Sequence, residues 1–392
     1  MDNKFSQLKV ALVHDFLNQY GGAERVLLTL HEMFPEAPIY TLLYDPAKMR
    51  GKFKGADIRP SFLQKFPKFL KKRHKWLLPL MPTAPETFNL RDFDLVISSS
   101  SAFAKGIIVK PKTIHICYCH SPMRYSWDWN EKYLDEQGLG SKRRILARLL
   151  LNYVRMWDRV AADRVDFFIA NSSATKAKIK KYYGRESAVV YPPVEMGSFE
   201  VSPRTSENSK TKSWKTSQDL VLEKQNYFLI VSRLSPYKKI EIAVEAMNKL
   251  NLPLYVIGEG SPKYVKYLKS IAGPKTKFLG WLSDKKTKEH YRHCRAFILP
   301  GEEDFGIALV EAMSFGKPVI ALRHGGAMET VIEGETGEFF NEPTVEVLAD
   351  AVRRFQEHEK NYSPEKIWEN VNMFRRSAFE ENISLFIAKV IS

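Results

Sequence analysis

Apolar runs of strand length, each followed by a helical pattern, recur through this sequence, and that alternation restricts the fold more than any other feature. Leu8 to His14, Ile39 to Tyr44, Phe93 to Ser98, Thr113 to Cys119, Val165 to Ala170 and Ala188 to Tyr191 form the first series. They are almost continuously apolar, as strands covered on both faces must be, so they predict a parallel sheet. The series starts again at Tyr227 to Ser232 and continues through Leu254 to Ile257, Lys277 to Gly280, Ala296 to Leu299 and Pro318 to Ala321. Helical patterns such as Ile240 to Leu250 and Ile307 to Phe315 separate these runs. A single core stops growing at about 250–300 residues. A chain of 392 residues with two such series is therefore expected to form two α/β domains with a functional cleft between them.

Between the series, Glu195 to Gln225 is polar, with SPRTSENSKTKSWKTSQD at its centre, and reads as an exposed linker or insertion. The expected boundaries are a first domain over 1–194, the linker over 195–225, a second domain over 226–375 and a terminal helix over 376–392. In that helix Ile383, Phe386, Ile387 and Val390 form an apolar stripe, which needs a surface to cover. Three cysteines give no disulfide framework and suit a reducing compartment. The start, MDNKFSQLKVALV, does not read as a signal peptide, and no run of about 18 apolar residues predicts a membrane span.

The net charge of +15 is concentrated locally. Lys48 to Lys75 holds eleven basic residues and one acid, so ten of the fifteen net charges lie there. Within PSFLQKFPKFLKKRHKWLLPLMP the cations alternate with Phe62, Phe66, Phe69, Leu70 and Leu77 at spacings that approximate one helical face. Residues 61–80 are therefore expected to lie on an anionic membrane surface, with Lys142, Arg143, Arg144 and Arg148 extending it. The bland alternative is an ordinary helix with a solvated basic face. A nucleic-acid-binding protein is the rival from another class, but no reader motif accompanies the charge, so no nucleic acid partner is expected.

The segment richest in chemistry is Gly301 to Gly316, GEEDFGIALVEAMSFG. It leaves a strand, turns through an acidic loop and enters a helix, at the strand end where open α/β sheets bind ligands. Glu303 and Glu311 could bracket a ligand lying across the helix N-terminus, whose N–H groups favour anions. Alternatively, Glu303 is a first-turn acid facing the helix dipole. In VSRLSPYKKIEIAVEAM, Arg233 and Lys238 follow another strand and could clamp a pyrophosphate, Arg233 by forked hydrogen bonds and Lys238 as a point charge. A solvated pair at a helix start is the other reading.

Together these motifs resemble retaining nucleotide-sugar glycosyltransferases of the GT-B fold, glycosyltransferase family four. Its E-x7-E pattern matches Glu303 and Glu311, and its Arg and Lys match Arg233 and Lys238. Its Gly-rich loop matches Gly21 and Gly22 in HDFLNQYGGAERV, and its G-G-x-x-E element matches Gly325, Gly326 and Glu329. The stretches YCHSPMRYSWD, VDFFIANSS and KYYGRESAVVYPPV look most like bacterial mannosyltransferases that build O-antigen and related polysaccharides. The resemblance implies two Rossmann-like domains, with the C-terminal helix crossing back to the first. It also implies a GDP-mannose donor and a lipid-linked or oligosaccharide acceptor.

Carried onto this chain, the resemblance gives each residue a role. Arg233 and Lys238 would hold the donor diphosphate, and Glu311 the ribose hydroxyls. Glu303, with the backbone N–H groups around Phe305, Gly306 and Ile307, would bind the transferred sugar. Gly21 and Gly22 would let the backbone approach the phosphates. His120 would lie near the reacting sugar, unless it is a locally satisfied strand-end histidine. His14 and Asp15 could face the acceptor.

No cofactor and no metal are expected, the nucleotide sugar being a substrate. Asp92-Phe93-Asp94 formally reads D-x-D, but it precedes a buried strand and fits a strand-start role. His115, Cys117, Cys119 and His120 fit no usual zinc spacing. GEGSPKY at Gly258 lacks the third glycine of a dinucleotide fingerprint and reads as a strand-end turn. A UDP-sugar donor, or nucleotide-sugar epimerase or hydrolase chemistry, is compatible with the same motifs. The expected location is the inner face of the cytoplasmic membrane, by peripheral attachment.

Overall fold

The computed structural model describes residues 7–72, 74–136, 140–197 and 226–391. Most of the expected linker, residues 198–225, lies outside the described residues. The chain divides into one unit of Met1–Pro193 with Arg376–Ser392, and another of Val194–Arg375.

The first unit is built on seven strands: β1 Val10–Leu17, β2 Ile39–Tyr44, β3 Ile58–Pro60, β4 Leu95–Ser100, β5 Ile114–Cys119, β6 Phe167–Ala170 and β7 Ser187–Val189. Their order is β3-β2-β1-β4-β5-β6-β7, and the pairings are parallel. The second unit has six: β8 Phe228–Val231, β9 Leu254–Ile257, β10 Thr276–Gly280, β11 Ala296–Leu299, β12 Val319–Leu322 and β13 Gly337–Phe340. These are also parallel, in the order β10-β9-β8-β11-β12-β13.

In each sheet the chain builds outward from its first strand, then jumps to that strand's other side. The reversal falls between β1 and β4 in one unit and between β8 and β11 in the other. Loops leaving neighbouring strands diverge at such a point, which opens a crevice at the carboxyl edge. Both sheets are the twice-covered parallel kind that the apolar runs require. Two strands escaped sequence reading: β3, three residues inside the charged stretch with Pro60 on the sheet edge, and β13, a short GEFF in a Gly- and Glu-rich stretch.

The final helix, Arg376–Ile391, packs on the first unit. Phe379, Ile383 and Ile387 are buried in one cluster with Val26, Leu27 and Leu30 of the helix Gly22–Met33, and Phe386 and Val390 pack at its margin. The Arg376 guanidinium bridges Glu32 at 2.6 Å and Glu380 at 2.7 Å across the same contact.

The basic segment does not form the single amphipathic helix its spacing suggests. It breaks into turns of 3-10 helix at Phe62–Lys65 and His74–Leu80 around a short α-helix, Lys68–Lys72. Pro67 and Pro79 explain the interruption, because proline lacks the N–H that a helix interior needs. Leu63 and Leu77 are buried, while Phe69 and Trp76 are 61% and 63% exposed.

A longer helix, Ser141–Asp163, carries apolar residues on two faces. Leu151, Val154, Ala161 and Ala162 are buried. Leu146, Leu149, Tyr153, Met156 and Val160 follow one another at intervals of three and four residues and stay open to solvent, Leu146 at 68%. Val154 shares its cluster with Leu63, Leu77 and Met81, so this helix and the basic segment cover the same part of the core.

Ile387→Ala should lower the stability of the first unit by about 2–5 kcal/mol, as expected for a buried Ile truncated to Ala. Denaturant unfolding of the full chain measures this; a wild-type midpoint would mean that the terminal helix contributes no core.

Candidate functional site

In the second unit the loops leaving β8, β11 and β12 converge at the reversal of strand order. After β8 the chain passes Arg233 and makes a 3-10 turn, Pro236–Lys238, that ends with Lys239 in the left-handed region. Lys238 is buried, and its ammonium is paired with the Glu303 carboxylate. Tyr237 holds both cations: its hydroxyl accepts from Arg233 Nη2 at 2.7 Å, and the Lys238 ammonium lies 4.8 Å from its ring centroid.

Glu303 sits in the loop after β11, before Gly306 turns the chain at φ +89° into the helix Ile307–Met313. Here the backbone packing is too close for side chains. A Cβ on Gly325 would stand 2.1 Å from the Glu303 carbonyl oxygen, and one on Gly326 2.3 Å from Phe305 Cα. The Gly326 N–H donates to that same Glu303 carbonyl at 2.9 Å. On the other side, a Cβ on Gly301 would lie 2.8 Å from the Lys238 carbonyl oxygen. The three turns are thus locked together by backbone contact.

Phe305 is buried edge-on against Phe374, with ring centroids 5.4 Å apart, which anchors the loop that holds Glu303. Glu311, on the first turns of the helix that Ile307 opens, accepts a hydrogen bond from the Tyr291 hydroxyl at 3.1 Å. The strand-end turn expected at Gly258 is present. It lies against the Arg233 loop, with Leu234 N–H donating to the Glu259 carbonyl at 2.8 Å. Arg233, Lys238, Glu303, Phe305, Gly306, Ile307 and Glu311 therefore all belong to one corner of this unit.

In the first unit the equivalent corner joins β1, β4 and β5. Both His14 and Asp15 were expected to face an acceptor, and the structure gives them other partners. The Asp15 carboxylate accepts the backbone N–H groups of Ser101, Ala102, Phe103 and Ala104 at 2.6 to 2.9 Å, which fixes the loop leaving β4. His14, 2% exposed, lies between Glu24 (3.6 Å) and Ser99 Oγ (3.1 Å). Gly21 precedes the helix that Gly22 begins, and its N–H donates to Glu24 Oε2 at 2.7 Å. His120, one residue beyond β5, has Nε2 2.8 Å from Ser99 Oγ.

Glu24 and Ser99 were missed by sequence reasoning. The signals were an acid three residues after Gly21, the spacing of a capping box, and a serine run ending an apolar strand. Among the described residues no group of His, Cys, Asp and Glu is arranged to hold a metal ion. His115 and Cys117 are fully buried; burial depresses the imidazole to about 3 and pushes the thiol up to about 12. Asp94 of the D-x-D accepts the Lys9 backbone N–H at 3.1 Å, at the start of β4.

Residues 20–197 match the family described as Glycosyltransferase Family 4, and residues 212–371 match Glycosyl transferases group 1. The chain is 25% identical to the alpha-1,3/1,6-mannosyltransferase ALG2 of Candida glabrata over 97% of its length and 93% of that protein. It is 23% identical to ALG2 of Dictyostelium discoideum, covering 89% of each chain. Among solved structures, Anabaena HepE in complex with UDP and glucose superposes with a TM-score of 0.69, at 19% identity, over 97% of this chain and all of that one. WaaG, a glycosyltransferase involved in lipopolysaccharide biosynthesis, gives 0.64 at 16% identity over 96% and 99%. The chain is built of a glycosyltransferase family 4 domain followed by a glycosyl transferases group 1 domain, and its fold is GT-B.

Proposed function

We propose that the protein is a retaining, metal-independent hexosyltransferase that moves mannose from GDP-mannose onto a lipid-linked or polysaccharide acceptor. The observation that carries this reading is the corner of the second unit, where two cations and Glu303 are held on turns interlocked by glycine. The choice of mannose rests on the relatives named as mannosyltransferases.

On this reading Arg233 and Lys238 bind the diphosphate and offset the charge that grows on it as the glycosidic bond breaks. A nucleoside diphosphate so held leaves without a general acid. Glu303 and the backbone N–H groups at Phe305, Gly306 and Ile307 receive the sugar hydroxyls, and Glu311 the ribose. Gly21 and Gly22 give the phosphates close approach to the first unit's backbone, and His120 takes a hydroxyl of the transferred sugar. Departure and attack on one face of the sugar preserve configuration, with the leaving phosphate accepting the acceptor's proton.

The same proposal places the enzyme peripherally on an anionic surface, the inner face of the cytoplasmic membrane. No helix among the described residues is long and apolar enough to cross a membrane. The contact we assign combines the exposed Phe69 and Trp76 with the outward stripe of helix Ser141–Asp163. Around them lies the stretch that holds most of the net charge. Cations near an anionic surface contribute about 1 kcal/mol each. Pairing with a second copy through this face would bring two basic surfaces together, which charge repulsion disfavours.

Arg233→Ala and Lys238→Ala should each lower transfer by about 100-fold or more while leaving the circular dichroism spectrum unchanged. Wild-type turnover in either variant would sink the assignment. In a thermal-shift comparison GDP-mannose should stabilise the protein and UDP-sugars should not; the reverse result would assign a UDP-sugar donor. Release of free or isomerised sugar, with none on an added acceptor, would indicate hydrolase or epimerase chemistry. In flotation assays the protein should bind vesicles containing an anionic phospholipid, and Leu149→Ser with Met156→Ser should weaken binding. No recovery with anionic vesicles even at low salt would rule the surface out, equal recovery with purely zwitterionic vesicles would overturn its anionic preference, and retention of a nucleic acid on filters at moderate salt would favour the basic-protein alternative.

A further inference from the structure

The second unit carries a focus of charge that has no part in the roles assigned so far. From Lys263 to Lys288 there are eight lysines and one acid, Asp284, so seven net charges lie within 26 residues. Together with the Lys48–Lys75 stretch this exceeds the net charge of the whole chain, and the remaining residues are net acidic.

Folding gathers these lysines around one sheet edge. β10 is the outermost strand of its sheet; the helix Pro262–Ile271 leads into it and the helix Asp284–His293 follows it. The first of these helices buries Tyr264 and Leu268 and turns Lys263, Lys266, Tyr267, Lys269 and Ser270 to water. It contains no acid. Lys285 and Lys286 are exposed on the first turn of the second helix. Tyr267 and Trp281, 45% and 48% exposed, lie along the same stretch.

Three of the eight lysines have local partners. Lys275 Nζ donates to the Asn251 carbonyl at 2.9 Å, Lys277 Nζ lies 5.1 Å from the Tyr255 ring centroid, and Lys288 pairs with Glu195 at 2.8 Å. Lysine on an edge strand also discourages pairing with another sheet, which accounts for Lys277. The helix lysines Lys263, Lys266, Lys269, Lys285 and Lys286 have neither duty, and among the described residues none of them pairs with a carboxylate.

The residue type narrows the partner. Arginine forks onto a fixed phosphate, as proposed for Arg233, whereas lysine is a hydrated point charge on a flexible stem. An all-lysine array on an outward helix face therefore suits a diffuse anionic field. Basic clusters of this size on an amphipathic helix are drawn to anionic lipid, and tyrosine and tryptophan suit the boundary between headgroups and water.

We infer that the second unit has its own contact with an anionic phospholipid surface, formed by the outward face of helix Pro262–Ile271 with Lys285 and Lys286. It is separate in sequence from the contact proposed for the first unit, and rests on that reading only in naming the same kind of surface. On the proposed transferase reading, the unit that holds Arg233, Lys238 and Glu303 thereby keeps its own hold on the surface where a lipid-linked acceptor lies.

Flotation of the full chain with vesicles of phosphatidylcholine and phosphatidylglycerol tests this. Lys263→Gln, Lys266→Gln and Lys269→Gln together should lower the binding constant about tenfold or more, and the remaining binding should depend less on salt. The comparison variant, Arg353→Gln with Lys360→Gln and Lys366→Gln, removes three exposed cations from elsewhere in the second unit and should bind as the wild type does. Thermal midpoints of both variants should match the wild type, because all six side chains are exposed.

Wild-type binding in the first variant, or an equal loss in both, overturns the inference. Reduced retention of a single-stranded oligoribonucleotide on filters by the first variant, with its vesicle binding unchanged, would make the partner a nucleic acid and overturn it too. Leu149→Ser with Met156→Ser separates the two contacts: wild-type binding there, with loss in the lysine variant, would defeat the first-unit surface and leave this one standing. Failure of the wild-type protein to float with anionic vesicles even at low salt defeats both.

Discussion

The corner of the second unit depends on backbone passing against backbone. Three turns leave β8, β11 and β12 and meet at distances that leave no room for Cβ atoms at Gly301, Gly325 and Gly326. Proximity of this kind is steric and directionless, yet it decides where charge sits. Because the Gly325–Gly326 turn lies against the carbonyl of Glu303, the Glu303 side chain projects from a fixed backbone, and Lys238, backed by Gly301, meets it. A site assembled on such contacts is organised before any ligand arrives, which spares the ordering cost that mobile loops incur on binding.

The first unit reaches the same end by different means. Its loop after β4 is held by polar groups: Asp15 gathers four backbone N–H groups, and Lys105 at the end of that turn is buried in an ion pair with Asp158. Asp158 also accepts from Trp127 Nε1 and the Tyr183 hydroxyl, each at 2.8 Å. Losing one partner of a buried pair costs about 3–5 kcal/mol, because the other charge is left uncompensated. The network therefore fixes helix Ser141–Asp163, whose outward face is apolar, against the loop beside His120.

The fold was readable in the sequence because parallel strands are nearly all apolar and their periodicity survives without context. Ile39–Tyr44, Leu254–Ile257 and Ala296–Leu299 agree to the residue. The failures have separate causes. β3 hides among charges because an edge strand need not be apolar, and the basic segment mimicked a helix because its spacing was read across Pro67. The corner of the second unit was legible because its motifs fall within short stretches after single strands. Partners contributed by separate strands were not. Glu24 and Ser99 are 75 residues apart in sequence and meet only through His14, and Asp15 finds its donors more than 80 residues away.

What the sequence presented as two independent motifs, a pair of cations after β8 and an acid after β11, the structure shows to be coupled. Lys238 and Glu303 neutralise each other, so on the proposed reading an arriving diphosphate competes with Glu303 for the ammonium. That competition changes the role of the acid. A carboxylate relieved of its cation has oxygen lone pairs to offer, and sugar hydroxyls are donors that can take them. On that reading, transfer of the ammonium from Glu303 to phosphate and hydroxyl capture by Glu303 are two halves of one exchange. Binding of a bare nucleoside diphosphate performs only the first half and leaves the partly exposed carboxylate to water. A nucleotide sugar completes both, so on the proposed reading it is Glu303, and not the two cations, that distinguishes the donor still carrying its sugar.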